Sequence, residues 1–162
     1  METKFIFLPA LPEDAEAIYA LWQSLAGTPF CAWSIDYPTI VHAEEDIQDN
    51  AIYLLRTQNN TLAAVGTIKH LTEHDNILPW QGKNPCDLMR IGVKRQLQGQ
   101  GIAQYFMAQL IKCAQTKGFD SLRILVCKTN FPAIHLYEKL GAKKRGEYFS
   151  YDTDWLCLEL LF

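Results

Sequence analysis

Arg90-Ile91-Gly92-Val93-Lys94-Arg95-Gln96-Leu97-Gln98-Gly99-Gln100-Gly101-Ile102-Ala103 is the stretch around which the rest of the chain can be ordered. An apolar strand ends near Val93, a polar turn follows, and Gly99 and Gly101 stand at the head of an amphipathic helix. Glycine lets a backbone approach a ligand closely. The first turn of a helix leaves N–H groups without partners, and its dipole favours an anion there. The stretch therefore reads as a pyrophosphate cradle or as a tight strand-to-helix turn. Two other phosphate loops are excluded. Gly-x-x-x-x-Gly-Lys-Ser/Thr occurs nowhere in the chain. A dinucleotide fingerprint needs Gly or Ala three residues after Gly101, where Gln104 stands, and an acid ending the next strand, whereas Asp120 precedes it.

Downstream, Ile102, Phe106, Met107, Leu110, Ile111 and Ala114 recur at helical spacing, so a helix is expected over 102–117, stopped by Gly118. Leu122-Arg123-Ile124-Leu125-Val126-Cys127 reads as a strand buried on both faces. A helix over 131–140 has Pro132 early and Gly141 at its end. Two strands close the chain, near 144–151 and 155–162, and the Lys143-Lys144-Arg145 run reads as a solvated turn.

Upstream, a strand over 87–93 follows a polar loop that holds Pro79, Trp80 and Gly82. Strands over 51–57 and 62–72 form an antiparallel hairpin around Gln58-Asn59-Asn60. A helix over 39–50 carries Glu44, Glu45, Asp46 and Asp49, which are expected to face solvent. Pro12-Glu13-Asp14 opens an earlier helix whose apolar face is Ala15, Ile18, Tyr19, Leu21, Trp22 and Leu25, and Phe5–Leu8 is a first strand. The order predicts an α/β class: a mixed, partly antiparallel central sheet flanked by helices, in one domain over residues 3–162.

The composition sets the outer bounds. The chain has 162 residues, 49% hydrophobic and 20% charged, with net charge −3. These values fit a globular domain and give no basic face for nucleic acid. Cys31, Cys86, Cys113, Cys127 and Cys157 are odd in number and lack a C-x-x-C pair, so reduced, buried thiols are expected, with neither zinc site nor disulfide framework. No apolar run approaches about 18 residues, and the N-terminus lacks the pattern of a secretory signal, so a cytoplasmic protein without a membrane partner is expected.

Two segments together carry a family resemblance. Gln98-x-x-Gly101-x-Ala103 resembles the acyl-coenzyme A motif Arg/Gln-x-x-Gly-x-Gly/Ala of the GNAT N-acetyltransferase superfamily. Asn130-Phe131-Pro132-Ala133-Ile134-His135-Leu136-Tyr137-Glu138-Lys139-Leu140-Gly141-Ala142 resembles that family's Asn-x-x-Ala-x-x-Leu-Tyr-x-x-x-Gly-Phe, with Ala142 in place of Phe. The resemblance implies acetyl-coenzyme A as acyl donor and an amine of a small molecule or peptide as acceptor. It also implies a splay between the strands at 87–93 and 121–128 that admits the pantetheine arm.

On that pattern, the backbone of Ile91, Gly92 and Val93 would meet the arm, with Val93 N–H polarising the thioester carbonyl. The N–H groups of Gln98, Gly99, Gln100, Gly101, Ile102 and Ala103 would hold the pyrophosphate, and Asn130 and Ala133 would lie along the coenzyme. Tyr137 reads as a core aromatic or as the general acid for the leaving thiolate; the motif around it favours the acid. Asp87 stands where relatives carry a base-type Glu and is the candidate base or an ordinary strand carboxylate. His70, His74 and His135 are further titratable candidates. Trp33, Asp36, Tyr37 and Trp80 are candidate acceptor contacts, through cation–π attraction and charge, or loop packing. A monomer or a homodimer fits equally. The rivals are a non-catalytic coenzyme A-binding module, an enzyme for a longer acyl chain and, more distantly, a nucleotide-binding protein.

Overall fold

The computed structural model describes residues 4–162, so the expected domain start at residue 3 lies outside the described residues. Seven strands form one mixed sheet: β1 (Phe5–Pro9), β2 (Ile52–Thr57), β3 (Leu62–Lys69), β4 (Pro85–Val93), β5 (Ser121–Cys127), β6 (Lys143–Ser150) and β7 (Thr153–Leu161). Their order across the sheet is β1-β2-β3-β4-β5-β7-β6. Among the described residues, four α-helices accompany them: α1 (Ala15–Leu25), α2 (Ile40–Gln48), α3 (Ile102–Thr116) and α4 (Phe131–Lys139). By its contacts the chain falls into two compact units, Met1–Thr67 with Met89–Leu110, and Ile68–Leu88 with Ile111–Phe162.

In the first unit, side chains alternate across β2 and β3 as a strand requires. Ile52, Leu54 and Val65 pack with Ala15, Ile18, Leu21 and Trp22 of α1 and with Ala43 and Ile47 of α2. Phe7 of β1 stacks on Tyr53 at 5.4 Å between ring centroids and meets Phe106 of α3 at 5.9 Å. The head of α1 is tied down by Asp14, whose carboxylate accepts from Leu11 N–H at 2.7 Å and pairs with Arg56 at 2.7 Å.

Asp46 overturns one expectation. It is fully buried rather than solvated. It lies three residues after Ala43 and beside Ile47, on the packed side of α2, where helical periodicity outranks residue type. Arg90 grips it from Nε at 3.0 Å and Nη2 at 2.8 Å, and the Thr67 hydroxyl donates to it at 2.8 Å. Arg90 also donates to the Tyr37 hydroxyl at 3.0 Å, while the Arg90 carbonyl accepts the Trp22 indole N–H at 3.1 Å. These contacts hold Arg90 at φ +50°, a left-handed conformation rare within a strand and one that a non-glycine residue keeps only when its surroundings impose it.

In the second unit, β4 pairs in parallel with β5 from Pro85↔Ser121 to Leu88↔Ile124. β7 runs antiparallel to both β5 and β6. The Lys143-Lys144-Arg145 run is the start of β6 and not a turn. A register shift between Lys144 and Gly146 aims the Arg145 guanidinium at Glu159, 2.7 Å away. Glu159 is fully buried and also accepts the N–H groups of Gln81 (3.0 Å) and Gly82 (2.8 Å). Gly82 sits so close to Ser121 that a Cβ would lie 1.9 Å from its hydroxyl oxygen. Asp120 accepts from the N–H groups of Lys83 (2.9 Å) and Asn84 (3.0 Å). The loop before β4 is thereby sewn down rather than free. The strand expected over 62–72 stops at Lys69, because 72–74 coil into a single 3-10 turn.

All five cysteines are free, but only Cys86 and Cys157 are buried; Cys31, Cys113 and Cys127 are half-buried, which corrects the expectation of five buried thiols. No helix among the described residues is long and apolar enough to cross a membrane.

Asp46→Ala should lower unfolding free energy by about 3–5 kcal/mol in urea titrations, because it strands the Arg90 charge; pairing it with Arg90→Met should recover much of that loss. Burial pushes Glu159 and Asp120 up, but the N–H groups of Gln81 and Gly82 with Arg145, and of Lys83 and Asn84 with the Ser121 hydroxyl, outweigh it and hold both below the ordinary carboxylate range. Their stabilisation is complete above the unfolded carboxylate pKa of about 4 and drains as pH falls through the lower folded values. Thermal midpoints should fall across that acid window, and Glu159→Gln should flatten part of the slope.

Candidate active site

The cradle forms as a short succession of local decisions. After β4, Arg95–Leu97 make one 3-10 turn, closed by Gln98 N–H donating to the Arg95 carbonyl at 3.3 Å. At the head of α3, Tyr105 N–H donates to the Gly101 carbonyl at 3.1 Å. Between these lie the first-turn N–H groups of α3, which a helix cannot satisfy internally. Gly99 and Gly101 hold φ +78° and +80°, and no atom lies within 4 Å of where either Cβ would stand. The positive φ requires glycine and the open faces leave room for a bulky anion, so the residues present fit a diphosphate. Gln98 directs its side chain inward, donating to the Val93 carbonyl at 3.0 Å. Gly92 packs against Leu25 and Trp33; an added Cβ would stand 2.7 Å from the Leu25 methyl. Ile91 is half-buried, while Val93 and Ile102 are buried and Ala103 is half-buried.

In the second unit, Asn130 caps α4, its side-chain amide oxygen accepting Ala133 N–H at 3.3 Å. Tyr137 is the buried residue of that helix, and burial pushes its phenol above the ordinary value. It therefore keeps its proton through the physiological range. Burial and the Asp87 charge push the Cys86 thiol up to about 12, so it is held as the thiol and not the nucleophilic thiolate at neutral pH. Cys127 closes β5 half-buried, its sulfur 3.3 Å from the Thr129 hydroxyl, rather than sealed within the strand.

Asp87 lies inside β4, 1% exposed. Its two oxygens receive Arg123 Nε (3.0 Å) and Nη2 (2.6 Å), Leu71 N–H (2.8 Å) and His74 Nδ1 (2.9 Å). Arg123 is also buried; burial opposes its charge, but Asp87 and Asp75 outweigh that and hold it firmly protonated.

Of the candidate acceptor contacts, Trp33, Asp36 and Tyr37 share one loop of the first unit. Trp33 packs edge-on to Trp22 at 6.4 Å and, with Gln23, Ala26, Gly27, Ser34 and Ile35, lines a surface cavity of about 420 Å³. Asp36 is exposed; Tyr37 is committed through its hydroxyl to Arg90. Trp80 belongs to the second unit. Its indole N–H donates to the His74 carbonyl at 2.8 Å and its ring lies 5.6 Å from the Arg123 guanidinium.

Against known proteins, the profile of the acetyltransferase (GNAT) family matches residues 17–142. The chain belongs to the GNAT family. N-acetyltransferase 8 of Rattus norvegicus is 30% identical over 92 residues, which cover 57% of this chain and 40% of that relative; the chain thus spans two fifths of that relative's length. A GNAT acetyltransferase structure from Streptococcus agalactiae aligns with TM-score 0.80 at 19% identity, covering 98% of this chain and 95% of that one. A Salmonella typhimurium protein solved with its cofactor acetyl-CoA aligns with TM-score 0.77 at 14% identity, covering 98% and 94%. The seven-stranded mixed sheet is the GNAT fold, and the family comprises N-acetyltransferases that use acetyl-CoA and act on amines.

Sequence reading missed Asp46 and the roles of Arg90, Arg123 and Glu159 in this GNAT protein. A signal existed for two of them. Arg123 is the one charge within Leu122–Cys127, and Glu159 stands between two leucines. A charge inside an apolar strand demands a buried partner.

Gly101→Ala should meet no clash, yet force an L-residue to φ +80° at roughly 1–2 kcal/mol. The expected outcome is a modestly lower thermal midpoint and a calorimetric coenzyme A affinity about tenfold weaker, as about 1.4 kcal/mol implies.

Proposed function

We propose that this GNAT protein transfers the acetyl group of acetyl-CoA to a primary amine of a small molecule or peptide, by direct attack in a ternary complex. The observation that carries the reading is the head of α3, where first-turn N–H groups of the kind a helix does not pair internally adjoin two open glycine faces. In this reading the amides from Gln98 to Ala103 hold the pyrophosphate. Backbone groups of Ile91, Gly92 and Val93 meet the pantetheine amides and Val93 N–H stabilises the oxyanion. Asn130 and Ala133 lie along the coenzyme.

Tyr137 protonates the departing thiolate. A desolvated thiolate is itself more basic than one in water, so a phenol raised by burial remains a usable donor. Trp33 and Asp36 contact the acceptor, supported by the cavity that Trp33 lines, and Tyr37 and Trp80 complete the acceptor contacts. The free thiols fit a reducing compartment, which supports a cytoplasmic protein, and the catalytic domain is taken to span residues 3–162.

Calorimetry with acetyl-CoA, followed by thiol release against a panel of amines, tests the reading. Binding heat and amine-dependent release are expected. Binding without release from any amine would leave a coenzyme A-binding module instead. Tyr137→Phe should lower kcat about 100-fold with coenzyme affinity little changed; an unchanged kcat would remove Tyr137 as the acid.

A further inference from the structure

We propose that His74 is the base that takes the proton from the acceptor ammonium, with Asp87 beneath it as a positioning residue. The inference rests on the transferase reading above and deepens it. Asp87 is ill suited to take the proton itself, because Arg123, Leu71 N–H and His74 already occupy its oxygens and almost none of it is exposed. Arg123 sets its guanidinium directly against that carboxylate, 2.6 Å away.

The same geometry sets the state of His74. An ionised carboxylate only accepts, so the ring nitrogen facing Asp87 at 2.9 Å carries the hydrogen. In neutral His74 the proton therefore sits on Nδ1, and Nε2 presents a bare lone pair. The backbone is fixed as well: His74 N–H donates to the Leu71 carbonyl at 3.1 Å and its carbonyl accepts the Trp80 indole N–H at 2.8 Å. The ring is one-fifth exposed, so part of it remains open to a second molecule. Trp80, a proposed acceptor contact, thus lies in the same network as the base.

The charged and titratable groups gathered there are Asp87 on β4, Arg123 on β5, Glu73 within the turn, Asp75 after it and His70 before it. Asp75 pairs with Arg123 at 2.8 Å and with His70 at 2.7 Å. The protons balance as follows. His74 Nε2 takes one from the ammonium, and the freed amine forms the C–N bond at the thioester carbon as the C–S bond breaks. Tyr137 protonates the thiolate and regains its proton from the surplus one on the new amide nitrogen. His74 then releases its proton to solvent, matching the one net proton of the reaction.

The test uses the whole chain, acetyl-CoA and the amine that gives most thiol release with the wild type. His74→Gln keeps a hydrogen bond to Asp87 but cannot carry a proton. It should lower kcat/KM about 100-fold at neutral pH, abolish the acid limb of the wild-type pH profile and regain rate where the amine is itself neutral. Coenzyme A binding should not change. Asp87→Asn removes the charge that stabilises the imidazolium, so it should move the acid limb to lower pH. A His74→Gln enzyme with the wild-type rate and limb overturns the proposal, and so does residual activity that keeps the limb's position. Nitrogen NMR of the wild type supplies an arm independent of turnover. A neutral His74 protonated on Nδ1 supports the dyad, and one protonated on Nε2 overturns it, even if no amine is acetylated and the transferase reading falls.

Discussion

The buried pair between Arg90 and Asp46 is the contact on which the cradle's geometry depends. β4 must deliver Val93 to a turn that is only a few residues long, so any slip in the strand would move the head of α3. The guanidinium meets the carboxylate through two hydrogen bonds, the Trp22 indole fixes the Arg90 carbonyl, and Tyr37 takes a further guanidinium donor. Buried ions are costly to desolvate, so a pair of this kind adds less to net stability than its short contacts suggest. Those contacts account for a left-handed arginine in a strand interior.

Three residues earlier the same strand carries a second buried pair, Asp87 with Arg123, built in a different way. Arg90 is satisfied by groups that only hold it. Asp87 is satisfied by Arg123 and Leu71 but also by a histidine, a partner that can change its charge. A carboxylate held by a guanidinium on one side can face a group of changeable charge on the other. Fixed charge and exchangeable charge thus sit side by side, and the fixed one defines what the exchangeable one can do.

The parts of the site that were legible in the sequence are those made by local rules. The paired Gly99 and Gly101 before an amphipathic run marked a turn opening into a helix, a reading made from residues within a few positions. The order of strands and helices followed from periodicity together with Gly, Pro and Asn punctuation, down to the hairpin of β2 and β3. What stayed hidden is long-range pairing. Asp46 lies 44 residues from Arg90, Asp87 lies 36 from Arg123, and Glu159 lies 78 from Gln81. No local pattern names such partners. Asp46 was misread for a further reason: it stands in a run of acids, and composition masked its position on the packed side of α2. Likewise the basic run at 143–145 looked like a turn, although a bulge uses its last member to reach Glu159.

The tethering of residues 70–84 bears on how new specificities can be engineered into this scaffold. The segment's fastenings, Asp87, Arg123, Asp120 and Glu159, all lie outside it and on three different strands or their approaches. It is therefore no interchangeable cassette. A graft from another acetyltransferase would arrive without its moorings unless those four outlying positions were transplanted with it.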